Sequence, residues 1–140
     1  MRKTVLFLIS TIIFFFITGC GNNKLQLLCK KWDCVRVENL APIDKSYQNT
    51  DDSLATLKIE SALRSLNWTF FQNREYQCSL GSNITTTGSY QLLDKGSRLV
   101  CTPNSKNSVN TYSVTKLTEH ELVLSSVVNN ITLVLHFRAQ

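Results

Sequence analysis

The sequence predicts an all-β protein with one short helix, in which an antiparallel meander of about eight strands closes into an up-and-down barrel. From residue 67 onward, short runs rich in β-branched and aromatic residues are separated by brief polar turns. No connection in this part of the sequence is long enough for a crossover between parallel strands. A meander has two exposed edges, and closure into a barrel removes them. An eight-stranded barrel is wide enough to be filled by side chains or to hold one small ligand.

The beginning of the chain is typical of a bacterial lipoprotein signal. Arg2 and Lys3 precede an almost unbroken apolar run over residues 5–17, and the small residues Thr18 and Gly19 lead to Cys20. The apolar run is shorter than the roughly 20 residues that span a bilayer. We therefore expect residues 1–19 to be removed as a signal peptide and Cys20 to carry the lipid. Ordinary secretion and an uncleaved anchor are the alternatives.

Residues 20–26 are predicted to be the lipidated N-terminus and a short polar tether, and residues 27–140 the β domain. No acidic pair follows Cys20. Such a pair would resemble a surface-export signal, so its absence favours a lipid-anchored protein of the cell envelope that faces the periplasm. The net charge of the whole chain is +5, and its basic residues are scattered rather than clustered. We therefore expect the membrane as a partner through the lipid, and no nucleic acid.

The first half of the domain is predicted to hold one strand, a loop and a helix. Residues 27–38 are the first strand, and the Pro- and Asp-containing segment 39–52 is a loop. One of the residues 51–53 would cap the helix. The helix prediction depends on apolar residues at spacings i, i+3, i+4 and i+7, which are Ile59, Ala62, Leu63 and Leu66.

The second half is predicted to contain only strands and turns. Turn residues are expected at 72–74, around Gly81, at 94–96, at 118–119 and at Asn129-Asn130, a pair suited to positive backbone angles. The strands between them are expected at residues 67–71, 75–78, 85–93, 98–102, 109–117, 120–127 and 131–138.

The order of these pieces resembles the small lipocalin-like domains of Bacteroidetes-type bacterial lipoproteins, over about residues 27–138. Lys30 stands where those domains have the glycine of a Gly-x-Trp motif. The resemblance implies a lipocalin-like barrel in which Trp32 packs across the closed end and Arg138, from the last strand, lies over it. The matching stretches are Leu28 to Trp32, Trp68 to Phe70 with Tyr76, Gly88 to Tyr90, Tyr112 to Leu117, and Glu121 to Leu124.

Several aromatic residues are candidates for the wall of a ligand cavity. Strand alternation puts Trp68 and Phe70 on one face and Phe71 on the other, so only part of the aromatic set points inward. The alternative is that these residues simply fill the barrel. The ligand-binding candidates are Trp68, Phe70, Tyr76, Tyr90 and Tyr112.

Four cysteines remain once Cys20 is lipidated, and an exported domain can meet an oxidising compartment. Four cysteines allow three full pairings, and the sequence does not choose among them. An extended strand would separate Cys29 from Cys34 by about 16 Å, too far for a direct bond. The alternative is that all four are apolar core residues with free thiols. The disulfide candidates are Cys29, Cys34, Cys78 and Cys101.

The polar residues do not indicate an enzyme. His120 and His136 have no metal-ligand spacing to other donors, and no Cys-x-x-Cys or phosphate-binding glycine loop is present. We expect no catalytic residues, metal site or cofactor. The leading hypothesis is a lipid-anchored envelope lipoprotein that binds a small apolar ligand. The second is a structural or interaction lipoprotein that docks another envelope protein.

Overall fold

The structure, a computed structural model, describes residues 20–39, 50–105, 108–128 and 130–140, with side chains in its two helices described from residues 23 and 57 onward. Eight antiparallel strands follow one another around a closed barrel, and the last pairs with the first. The predicted all-β meander barrel is therefore confirmed. The strands are β1 (Lys31–Glu38), β2 (Leu66–Phe70), β3 (Glu75–Leu80), β4 (Asn83–Leu93), β5 (Arg98–Pro103), β6 (Asn110–Leu117), β7 (Glu121–Val128) and β8 (Ile131–Ala139).

The N-terminal segment differs from its prediction. Residues 20–26 are not an irregular tether, and the first strand does not begin at residue 27. Helix α1 (Cys20–Leu28) occupies this stretch, and β1 starts only at Lys31. Leu25 and Leu28 lie three residues apart on one helix face and pack against the barrel core, with Leu28 completely buried. This burial, rather than any strong helix propensity, stabilises so short a helix.

Helix α2 (Thr50–Arg64) confirms that a helix follows the first strand, although its predicted apolar face is not a buried face. The side chain of Ile59 is 41 % exposed and that of Leu57 is 59 % exposed. Leu66, the last member of the predicted helical pattern, belongs to β2 and packs against the core. Of the predicted loop 39–52, residues 40–49 lie outside the described part of the chain.

The turns follow the predictions, whereas the bulges were not predicted. Arg74, Gly81 and Asn130 all have positive φ angles, of 70°, 59° and 62°. Asn129 lies outside the described residues. Three register shifts interrupt the pairing, between Cys34 and Arg36 in β1, between Cys78 and Ser79 in β3, and between Val114 and Lys116 in β6. Each shift changes which neighbouring residues face inward, because side-chain direction has a period of two.

The barrel has two different ends. At the closed end lie α1 and the connections β2–β3, β4–β5 and β6–β7, and the stem of Lys24 in α1 lies against Gly96 in the β4–β5 connection. At the open end lie α2 and the connections β3–β4, β5–β6 and β7–β8. Inward-facing residues near the open end, such as Leu66 and Leu133, are only partly buried.

Candidate functional site

Trp32 organises the closed end. Its side chain is completely buried, and its indole Nε1 donates a hydrogen bond of 2.9 Å to the carbonyl oxygen of Leu28. That carbonyl is one of the last in α1, where carbonyls have no partner within the helix, and it also accepts a hydrogen bond of 2.8 Å from the backbone N–H of Lys30. The same indole therefore fills the bottom of the barrel and caps the helix that covers it. This is the structural role that the resemblance implied for Trp32.

Lys30, and not Arg138, is the basic residue over this tryptophan. The ammonium nitrogen of Lys30 lies 5.6 Å from the centroid of the Trp32 ring and donates a hydrogen bond of 2.9 Å to the carbonyl of Glu119. Arg138 is exposed on the outer face of β8 because its neighbour Phe137 points into the core. Strand alternation therefore excludes the position that the resemblance implied for Arg138.

The hydroxyl of Tyr90 joins two further segments at the closed end. It donates a hydrogen bond of 2.8 Å to the carbonyl of Phe71, in the β2–β3 connection. The sulfur of Cys29 lies 3.2 Å from the same oxygen, so the thiol is placed to donate to it. Burial is the main cause that raises the pKa of Tyr90, and the hydrogen bond with Cys29 adds to the rise. Tyr90 is thus a core residue with satisfied polar atoms.

The middle of the barrel is filled by aromatic rings. The Trp68 ring lies 5.3 Å from Tyr112 on β6 and 6.1 Å from Phe137 on β8, measured between centroids. Since β6 is opposite β2 in the closed barrel, these contacts cross its interior. Phe70 and Tyr76 add contacts at 5.5 and 5.9 Å. Ring spacings of this size are those of packed aromatic clusters.

The five ligand-binding candidates therefore divide into two groups. Phe70, Tyr76 and Tyr90 are 1–3 % exposed and belong to the packed core, the alternative that strand alternation left open. Trp68 is 5 % exposed and belongs to the same buried cluster, and the Tyr112 ring packs against it. Tyr112 is only partly buried. Of the five candidates, Tyr112 is therefore the one that keeps partial exposure, and Trp68 is its neighbour across the barrel.

Above Trp68, the inner wall of the open end is mainly apolar and partly exposed. It is formed by inward-facing side chains of five strands that pack against the core without being enclosed by it. Partly exposed apolar side chains with few polar groups among them are typical of the walls of small-ligand sites. Its residues are Val37, Leu66, Cys78, Tyr112 and Leu133.

The indole N–H of Trp68 is the exceptional polar group in this region. The side chain is 5 % exposed, yet its Nε1 has no hydrogen-bond acceptor among the described residues. Cys78 is the direct cross-strand neighbour of Trp68. Its thiol pKa is raised by burial, while hydrogen bonding from Thr85 and from the indole opposes the rise. Sulfur is a weak acceptor, so this neighbour satisfies the indole donor only weakly.

The four cysteines are free thiols in the structure, and no predicted disulfide is formed. Cys29 follows α1 and does not share an extended strand with Cys34, so the 16 Å separation expected for them does not apply. Cys34 and Cys101 are buried core residues. Burial raises the pKa of Cys101 to about 12, which keeps this thiol protonated and unreactive at neutral pH.

Neither a metal cluster nor a membrane-spanning helix is found among the described residues. No group of three or more His, Cys, Asp or Glu side chains within them is placed to hold a metal ion. No helix among them has the length and apolar character needed to cross a bilayer. The predicted signal peptide, residues 1–19, lies outside the described residues.

Sequence reasoning missed two contributors to these sites. One is Lys30, which the motif comparison marked only as a departure from glycine. Its position two residues before Trp32 is the signal that could have indicated a cation over the ring. The other is α1, whose signal was the pair Leu25 and Leu28 at helical spacing.

Comparisons with known proteins agree with the fold. No family model and no curated protein matches the chain. Among solved structures, a DUF4847 family protein from Bacteroides vulgatus is 16 % identical with a TM-score of 0.51, and 81 % of this chain covers 94 % of that one. A lipocalin-like protein from Bacteroides uniformis is also 16 % identical with a TM-score of 0.50, and 81 % of this chain covers 99 % of it. An uncharacterized protein from Bacteroides eggerthii, 15 % identical, has the same TM-score and coverage. At these identities the likeness concerns the fold alone, and the chain folds as a lipocalin-like β-barrel.

Proposed function

We propose that this protein is a lipid-anchored lipoprotein of the cell envelope whose barrel binds a small, largely apolar ligand at its open end. The ligand lies on Trp68 and Tyr112 and carries a hydrogen-bond acceptor that reaches the Trp68 indole. The proposal is for binding and not for catalysis. It does not use the packed residues Phe70, Tyr76 and Tyr90.

The buried indole N–H of Trp68, which has no oxygen or nitrogen acceptor among the described residues, is the observation that carries this proposal. A buried donor without an acceptor costs about 1–3 kcal/mol. The closed-end tryptophan, Trp32, shows that the same fold can satisfy an indole fully. A ligand acceptor at Trp68 would recover the cost, and the apolar wall around it would bury the rest of the molecule. The ligand is therefore expected to have an apolar chain or ring with one carboxylate or carbonyl group.

Calorimetric titration with two probes of equal chain length tests the ligand site. Decanoate offers an acceptor to Trp68, whereas decyltrimethylammonium has the same chain and no acceptor. We expect decanoate to bind and to raise the melting temperature. Trp68→Phe should weaken decanoate binding about ten-fold, the loss of roughly 1.4 kcal/mol, and change decyltrimethylammonium binding less than two-fold. Leu133→Asp should abolish binding of both probes, and the outward-facing control Val35→Asp should abolish neither.

Two outcomes would contradict the proposal, one for the ligand site and one for the indole hydrogen bond. If neither probe binds or changes the melting temperature of the unmodified protein, the small-ligand proposal is wrong. If Trp68→Phe weakens both probes equally, the indole contributes packing and not a hydrogen bond.

The lipid anchor is supported by the sequence around Cys20. The basic start, the short apolar run and the small residues before this cysteine together favour lipidation. Mass spectrometry of the N-terminal peptide from membranes tests the anchor. We expect a diacylglycerol-modified Cys20, release of the protein from membranes by Cys20→Ser, and no release by the control Cys29→Ser. An unmodified N-terminus at another residue would contradict it.

A second candidate function, docking of an envelope protein, is favoured by the rim of the open end. Exposed apolar residues lie in or beside each of its three hairpin connections, and exposed apolar surface can mark an interaction site. Crosslinking in the envelope distinguishes ligand binding from docking of a protein. If the rim docks a partner, Val127→Lys should abolish the crosslink to that partner and leave decanoate binding unchanged. The exposed rim residues are Leu80, Ile84, Val109, Val127 and Val128.

A further inference from the structure

We propose that the closed end is a docking surface for anionic lipid headgroups, which holds the barrel against the membrane with its open end directed away. The inference depends on the lipid anchor proposed for Cys20 and not on the ligand site. It combines the course of α1 with the distribution of charge between the two ends.

Helix α1 places the anchoring residue beside the closed end. The helix begins at Cys20 itself and ends at Leu28, which is completely buried in the core. At a rise of 1.5 Å per residue, this helix separates the two residues by about 12 Å. No flexible segment stands between them. A lipid on Cys20 therefore brings the closed end within about one to two Debye lengths of the headgroups at physiological salt.

The charged side chains are unevenly divided between the two ends. The closed half carries more basic than acidic residues among the described side chains, whereas the open half is nearly balanced. In the closed half, the basic residues are Lys24, Lys30, Lys31, Arg74, Lys95, Arg98, Lys116 and Arg138, and the acidic residues are Asp33, Glu75, Asp94, Glu119 and Glu121. In the open half, the basic residues are Arg36, Lys58 and Arg64, and the acidic residues are Glu38 and Glu60.

Ion pairs leave one part of the closed end uncompensated. Arg98 binds Asp94 at 2.7 Å, and Lys116 binds Glu121, so these pairs neutralise themselves. Six other cations form no ion pair with a described residue, and neither do the acids Asp33, Glu75 and Glu119. Five of these cations, all but Arg138, lie around the rim from α1 to the β4–β5 connection. We call them the basic rim, which consists of Lys24, Lys30, Lys31, Arg74 and Lys95.

The basic rim and the anchor act on different properties. Each cation near an anionic surface strengthens membrane binding about five-fold, by the roughly 1 kcal/mol that one Lys or Arg contributes there. The acyl chains retain the protein on the membrane. The rim instead selects one orientation of a domain that is already retained. That orientation leaves the apolar wall above Trp68 accessible from the aqueous side.

Vesicle sedimentation of the mature chain with Cys20→Ser, which contains every described element, tests the surface without the lipid. The probes are phosphatidylcholine vesicles with and without 30 mol % phosphatidylglycerol, at low salt. We expect binding only to the anionic vesicles. The double variant Lys31→Gln/Lys95→Gln should weaken it about 25-fold. The matched open-end control, Lys58→Gln/Arg64→Gln, should change it less than two-fold.

Equal binding to both kinds of vesicle, or equal loss in the two double variants, would overturn the inference. This failure is distinguishable from failure of the proposed anchor. If Cys20 is lipidated but the rim does not bind anionic vesicles, only the docking surface is wrong. If the rim binds and Cys20 is not lipidated, the anchor is wrong.

Discussion

The two ends of this barrel differ in how completely they satisfy their side chains. At the closed end, Trp32 is wholly buried and its indole has an acceptor, and the hydroxyl of Tyr90 is hydrogen-bonded on both sides. At the open end, the apolar wall is partly exposed and the indole of Trp68 has no acceptor among the described residues. The contrast indicates that the closed end contributes more to stability than the open end, where we propose that the ligand binds.

This division has a simple physical origin. Helix α1 supplies apolar side chains and a carbonyl acceptor to the end that it covers. The indole of Trp32 and the hydroxyl of Tyr90, packed beneath it, lose contact with water and gain hydrogen-bond partners, which together stabilise the fold, although the nearby Oδ1 of Asp33 has no partner among the described residues. Binding sites, in contrast, are formed where such satisfaction is incomplete, because a ligand then has something to contribute. The following predictions test this difference, beginning with the largest effect.

Trp32→Ala should have the largest effect on stability. Truncation of a buried tryptophan costs about 3–5 kcal/mol, and here it also removes the cap on the Leu28 carbonyl. Leu133→Ala, at the partly exposed open end, should cost about 1–2 kcal/mol because less of its surface is buried. Guanidinium unfolding followed by circular dichroism measures both. Equal losses would show that the two ends contribute equally to stability.

Gly88→Ala should have the next largest effect. A Cβ at this position would lie 2.7 Å from Cε1 of Tyr76 and 2.9 Å from Cα of Pro103, and closer still to the carbonyl oxygen of Thr102. Relief requires a backbone shift inside the core, at a cost of about 2–3 kcal/mol.

Gly81→Ala, in the β3–β4 turn of the open end, is the matched control. Nothing lies within 4 Å of its added Cβ, so only its φ of +59° opposes the substitution. This strain costs about 1 kcal/mol. The same unfolding experiment applies. A larger loss for Gly81→Ala than for Gly88→Ala would contradict the view that the core around Tyr76 tolerates no additional atoms.

The sequence predicted the barrel well because most strands have one buried face. In β8, Leu135 and Phe137 alternate with exposed or partly exposed residues, and this strand shows no helical spacing of apolar residues that would compete with the alternation. The same alternation could have placed Arg138 outside the core. The resemblance to other barrels suggested a role for it that its position on this strand excludes.

The N-terminal helix and the filling of the barrel were harder to predict. The polar stretch 20–26 has no helical signal of its own apart from Leu25, and it is helical because the helix packs against the closed end of the barrel. The aromatic candidates were assigned to the correct face of β2. Whether they enclose a cavity depends on ring contacts between β2, β6 and β8, which depend on register, and the bulges that shift this register have no clear sequence signal.

The smallest expected effect compares two thiols by their response to alkaline pH. Burial raises the pKa of Cys101 from 9.0 to about 12, whereas Cys78, which is nearer the open end, is only partly buried. A raised thiol pKa means that the folded protein retains a proton that the unfolded chain releases. The stability contributed by protonated Cys101 is therefore complete below pH 9 and is lost as pH rises toward 12. The slope is at most about 1.4 kcal/mol per pH unit.

Urea unfolding with a reductant at pH 8, 9, 10 and 11 measures this difference. The unmodified protein should lose stability above pH 9, and burial of Tyr76, which raises its pKa to about 12, adds to the loss above pH 10. Cys101→Ala should remove about one proton from the pH dependence, whatever its own cost at pH 8. Cys78→Ala should remove less. Parallel curves of stability against pH for the two variants would mean that Cys78 is as well shielded from water as Cys101. The contrast between the two ends would then not extend to their cysteines.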